Sequence, residues 1–267
     1  MDGLILAVEG CDYVNEVVCK PDNVLEFFEF PALFGDISRT IFLIALAALI
    51  VMGLLFFTYR KPRLVPTKFQ AAVESVVGFV KDEIAVGIIG PEGVKYAPYL
   101  LSIFLFILVG NLFEVTPLIN FPITSRMAIP AFLALLTYVI FLVAGIRKQG
   151  VGYFKDIAWP PGVPTAMKPL VGIIELFSIL FVRPFSLAVR LFANMVAGHV
   201  MLSLLLASGV IFIGAVGEIG LRSTIGLAWL GMGLLIFVFE IIVSVLQAYI
   251  FTLLSAVYIQ ISVHPEH

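Results

Sequence analysis

Charge is what this chain has least of: 16 Lys and Arg with 18 Asp and Glu make only 13% of its 267 residues. A water-soluble domain carries about a quarter, so the balance excludes an ordinary soluble fold and points to lipid as the solvent. No stretch is basic enough to hold nucleic acid, and no low-complexity tract or short-period repeat stands out. Histidine falls to three residues and cysteine to two. No His/Cys spacing matches a metal site, so neither a metal nor another cofactor is expected. No segment is left over that is large enough for a soluble enzyme domain.

What the chain does have is apolar residues, 61% of the total, and they come in runs. Thr40 to Phe57 is uncharged and is followed by Thr58, Tyr59, Arg60, Lys61 and Arg63, an aromatic and basic edge that marks a first membrane span. Tyr96 to Phe113 and Met127 to Ile146 are two more, joined by the short turn Pro117 to Pro122 into a helical hairpin. Pro98 suits the first turn of the earlier one. Two longer segments follow, about 169–208 and 223–263. Each exceeds the roughly 20 residues that cross hydrocarbon at about 1.5 Å per residue, so they must tilt, kink or run partly along the membrane.

Thr67 to Ile89 is of another kind. Phe69, Ala72, Val73, Val76, Val80 and Ile84 recur at three- and four-residue spacings while Lys68, Glu74, Lys81 and Asp82 fall mostly elsewhere. That is an amphipathic helix, lying at the cytoplasmic interface or packed against the spans; the flanking lysines favour the interface.

The connector from Gly150 to Pro169 is polar and rich in Pro and Gly, and a second one, Gly209 to Arg222, holds Glu218. Ten Lys and Arg fall in loops assigned inside (Arg60 to Lys168) against four outside (Lys20, Arg39, Arg126, Arg222), so the N-terminus is expected outside and the C-terminus inside. The acidic first 39 residues read as an external segment, with neither the basic start of a signal peptide nor the arginines of a transit peptide. Residues 40–267 read as the membrane domain. Cys11 and Cys19 lie in the external segment as a disulfide or as two plain thiols. The expected fold is all-α and polytopic, about five membrane helices plus the interfacial one, the last two long and strongly tilted.

Ionisable residues inside spans are expensive and functional by default. The last two segments hold Glu175, Arg183, Arg190, His199 and Glu240, with Asn194 and Gln247 as polar companions. At about 100° per residue Arg183, Arg190 and Asn194 share a face, Glu175 lies within about 60° of it, and His199 points the opposite way. Glu240, Ser244, Gln247 and Ser255 share one face of the last helix. If the two helices run antiparallel with His199 level with Glu240, Arg190 and Gln247 differ in height by only about 3 Å. His199 and Glu240 then form a proton-sharing pair, or a structural one that joins helices. Arg183 snorkels or pairs with Glu175. Arg190 is different: it lies well inside its segment with no acid three or four residues away, which implies a carboxylate from another helix or subunit. Glu114, after Asn111 at the outer end of the second span, reads as a solvated end residue rather than a channel residue.

The stretch Arg183-Pro-Phe-Ser-Leu-Ala-Val-Arg190-Leu-Phe-Ala-Asn194-Met-Val-Ala-Gly-His199, with Gln247-Ala-Tyr-Ile-Phe-Thr-Leu-Leu in the last helix, closely resembles the signature of subunit a of F-type rotary ATP synthases. The hairpin, the interfacial helix and the length fit too; the first forty residues match nothing diagnostic. The resemblance implies a proton-conducting stator in a bacterial plasma membrane, with no part in the ATP chemistry. Its partners would be a rotating ring of c subunits, b-type peripheral stalk subunits and the rest of the synthase. In that family the arginine matching Arg190 faces the ring's carboxylate between two aqueous half-channels. The acid/histidine pair of the outer half-channel is here His199 and Glu240, reversed relative to some bacterial members. Asn194 and Gln247 would position water and Arg190, and Glu175 would serve the inner half-channel.

Overall fold

A computed structural model describes Val18, residues 39–60, 65–116, 119, 122–150, 152–153, 157, 159, 167–215, 217 and 220–263, the last range without the side chains of 221–222. Cys11, Cys19, the rest of the acidic N-terminal segment, Glu218 and most of the 150–169 connector lie outside the described residues. Within them every regular element is helical. Helix α1 is Arg39–Tyr59. Helix α2 runs as Lys68–Gly78, then winds wider as a π-type stretch over Phe79–Val86 and closes with Gly87–Ile89. Helix α3 is Ala97–Val115 and α4 is Ala128–Gln149. Helix α5 is Lys168–Gly214, 47 residues, and α6 is Thr224–Val263, 40 residues. All but α2 are long and apolar enough to cross a membrane.

The boundaries have local causes. Thr67 caps α2, its hydroxyl accepting from the Gln70 amide at 3.3 Å. Gly150, at φ 65°, ends α4 in a conformation that a β-carbon disfavours. At about 1.5 Å per residue α6 is about 60 Å long, twice the hydrocarbon thickness, so it cannot stand upright in a bilayer. Phe57 on α1, Phe132 on α4 and Leu234, Leu235 and Ile242 on α6 are all exposed. A surface this apolar is stable against lipid and not against water.

The chain forms two compact units, each assembled from separated stretches. The larger holds Ala47–Val109, Arg126–Phe192 and the chain from Leu246 onward. Its core joins Val80 and Ile84 of α2, Leu100 and Phe104 of α3, Phe141 of α4, Leu187 and Leu191 of α5, and Phe251 and Ile259 of α6. Helix α2 thus buries its apolar face here and leaves Lys81, Asp82 and Glu83 exposed. Several polar groups within this core are paired. Tyr99 and Thr137 share a hydrogen bond at 2.8 Å. The Tyr153 hydroxyl meets Ser262 Oγ at 3.2 Å, and Gln149 Nε2 donates to the Ser262 carbonyl at 3.1 Å.

The other unit holds the stretch ending at Leu46, Gly110–Ser125 and Ala193–Val245. Arg39 donates to the Ile119 carbonyl within it. Its main feature is the antiparallel packing of α5 on α6 through glycines. A β-carbon at Gly233 would come within 2.9 Å of Leu206, and one at Gly209 within 2.6 Å of Leu230. One at Gly226 would sit 2.9 Å from the Gly209 carbonyl oxygen. Small residues let helix backbones approach this closely where no hydrophobic effect drives association. At Gly226 the obstacle is backbone, which no rotamer change relieves. Gly226→Ala is therefore expected to cost about 1–3 kcal/mol, read as a lower unfolding midpoint of the purified subunit in detergent; an unchanged midpoint would show that the helices are looser there.

Candidate functional site

Within the smaller unit, α3, α5 and α6 bring ionisable groups together out of contact with solvent. His199 of α5 is 1% exposed, Glu240 of α6 5% and Glu114 of α3 1%. Periodicity placed His199 opposite Arg190, and this inward face is where it lies. The α5–α6 register matches the expected antiparallel alignment: Glu240 packs its carboxyl against Gly198, the residue before His199, just as Gly233 meets Leu206 further along.

Glu114 requires a correction. It is not a solvated end residue: its Oε1 lies 3.9 Å from His199 Nδ1. That exceeds a hydrogen bond and lies within ion-pair range for a protonated imidazole. Asn111, three residues earlier and so on the same side of α3, is fully buried and accepts from Thr124 Oγ1 at 2.9 Å through its Oδ1. The signal was present in the sequence. Two polar residues at that spacing in an apolar span call for a polar neighbour, and a carboxyl at membrane depth is functional by default.

Several atoms of this cluster have no hydrogen-bond partner among the described residues: both oxygens of Glu114, Oε2 of Glu240, Nδ2 of Asn111 and Oγ of Ser244. Buried polar atoms are nearly always satisfied, by protein groups or by ordered water. Two carboxyls and an imidazole can each take up and release a proton.

Of the remaining predicted residues, Glu175, Arg183, Arg190 and Gln247 belong to the larger unit and Asn194 to the smaller. Glu240, Ser244, Gln247 and Ser255, expected on one face of α6, are all buried. On α5 Arg190 is exposed, while Glu175 and Asn194 are half-buried; Asn194 and Gln247 both have interaction partners. Arg190 makes no ion pair among the described residues. Arg183 differs from both expectations. It neither snorkels free nor pairs with Glu175; its guanidinium lies over the Tyr258 ring at 5.5 Å. Between Glu175 and Arg183, residues Ser178–Val182 form a π-type stretch, so a steady 100° count does not carry across it.

A family model described as ATP synthase A chain matches residues 40–260. The chain is 42% identical to an ATP synthase subunit a of Frankia alni over 83% of its own length and 76% of that protein's. It is 40% identical to one of Parafrankia sp. over 96% and 85%. A third, from Streptomyces lividans, is 34% identical over 98% and 95%.

Proposed function

The chain belongs to the ATP synthase A chain family, and we propose from that premise that it is the proton-conducting stator of a bacterial rotary ATP synthase, working against a ring of c subunits. The observation that carries the reading is Arg190. A permanently charged side chain is exposed on a 47-residue apolar helix with no ion pair among the described residues. In lipid that charge calls for a carboxylate from another subunit.

The ring supplies it. A ring carboxyl facing lipid stays protonated because desolvation opposes its charge; opposite Arg190 the charged form becomes favourable and the proton leaves. Arginine suits this task since it keeps its charge at any working pH and passes no proton itself, so it also separates the two access routes. The outer route uses Glu240, His199 and Glu114, which exchange protons with each other through water. Asn194 and Gln247 hold water and orient Arg190. Glu175 serves the inner route. ATP chemistry belongs to other subunits, and b-type stalk subunits hold this one still. The Lys and Arg distribution orients the chain with its N-terminus outside and its C-terminus in the cytoplasm.

The test separates a half-path from a complete channel. Purified alone into liposomes under an imposed potential, the chain should give no proton flux above protein-free liposomes; with the ring and stalk subunits added, flux should appear. Selective flux through the chain alone would identify a self-contained transporter instead.

A further inference from the structure

Gly198 carries no chemistry of its own, yet it sits where the Glu240 carboxyl ends. A β-carbon built on it would lie 2.5 Å from Glu240 Oε2, 2.6 Å from Oε1 and 2.6 Å from the carboxyl carbon. No β-carbon tolerates such contacts. The obstruction differs in kind from the one at Gly226, where the opposing atom is a backbone carbonyl. Here it is the far end of a flexible side chain, so an added methyl leaves the helices in place and turns the carboxyl aside. Glu240 is only 5% exposed, and its present position lies against the α5 backbone one residue before His199.

We propose that Gly198 is a positioning residue for proton transfer, its missing side chain forming the seat that holds the Glu240 carboxyl next to the His199 position. This rests on the reading that Glu240 lies in the proton path. A misplacement of about 1 Å at a reacting group can cost on the order of 100-fold, so even one methyl here should matter. Shortening the acid by one methylene restores the room.

The experiment compares four variants in the complete synthase, in native membrane vesicles: Gly198→Ala, Glu240→Asp, the two combined, and Glu240→Gln. Assembly is read from co-purification of the subunit with the ring, and function from ATP-driven proton pumping. Gly198→Ala should assemble normally and pump at least about tenfold more slowly, and adding Glu240→Asp should raise pumping above the Gly198→Ala level. Three results would overturn the seat: normal pumping by Gly198→Ala, failure of that variant to assemble, or no gain from the shorter acid. If Glu240→Gln pumps normally, the proton-path reading falls and the seat with it; if Glu240→Gln is impaired while Gly198→Ala is normal, the seat alone falls.

Discussion

Arg190→Ala is expected to abolish ATP-driven proton pumping by vesicles that carry the whole complex, while ATP hydrolysis continues uncoupled. Without the guanidinium, the ring carboxyl meets nothing that favours its charged form at the place where it must release its proton. An opposite charge within hydrogen-bonding reach shifts a carboxyl by about 1–3 pKa units. Losing it slows deprotonation by about 10–1000-fold, at about tenfold per unit. The barrier between the access routes goes at the same time, so protons that do pass need not turn the ring. Arg190→Lys should fall between the two. An ammonium keeps a charge but is a compact point that cannot bridge both carboxylate oxygens, and burial favours its neutral form. Pumping near the wild-type rate in Arg190→Ala would remove the basis of the proposed function.

The next largest effect is expected at Glu240 and His199. A group that hands on protons typically contributes about 100–10,000-fold to a transfer rate. Water bridging to Glu114 can take over part of the work, so Glu240→Gln should slow pumping by at least about tenfold. The exchange His199→Glu with Glu240→His is more informative than either single change, because it keeps an acid and an imidazole facing each other. The double variant should pump faster than either single one. Equal losses in all three would mean that the two positions do not share a proton. The Gly198 seat adds a condition: it was built around a carboxyl, so an imidazole at position 240 fits less well and recovery should be partial.

Much of this was readable from residue order, for identifiable reasons. Spans are set by length and apolarity, so α1, α3 and α4 came out within a few residues: Thr40–Phe57 became Arg39–Tyr59, for example. The stripe of Glu240, Ser244, Gln247 and Ser255 on α6 followed from regular helical winding and is buried as a unit. What residue order did not show is the π-type stretch at Ser178–Val182: the 100° count that set Glu175 near Arg190 crosses it, and apolar side chains give no hint that the turn is wide. Glu114 was misplaced for a different reason. An acid at a helix end looks solvated unless one knows which helix covers it, and that is tertiary information. Gly198 was legible only as part of a signature, because an absent side chain acquires meaning from whatever fills its space.

The proposed function requires the exposed face of α5 at Arg190 to meet the ring. Ala193, one turn further on the same helix, is also exposed, and a cysteine there reports the contact directly. With Cys11 and Cys19 replaced by serine, Ala193→Cys is paired with single cysteines placed within one turn of the ring carboxylate and oxidised in native membranes. A disulfide forms only when the α-carbons come within about 7 Å. The predicted result is a covalent pair of this subunit with a ring subunit for at least one ring position; no cross-link at any of them, in complexes that still contain the ring, would contradict the account.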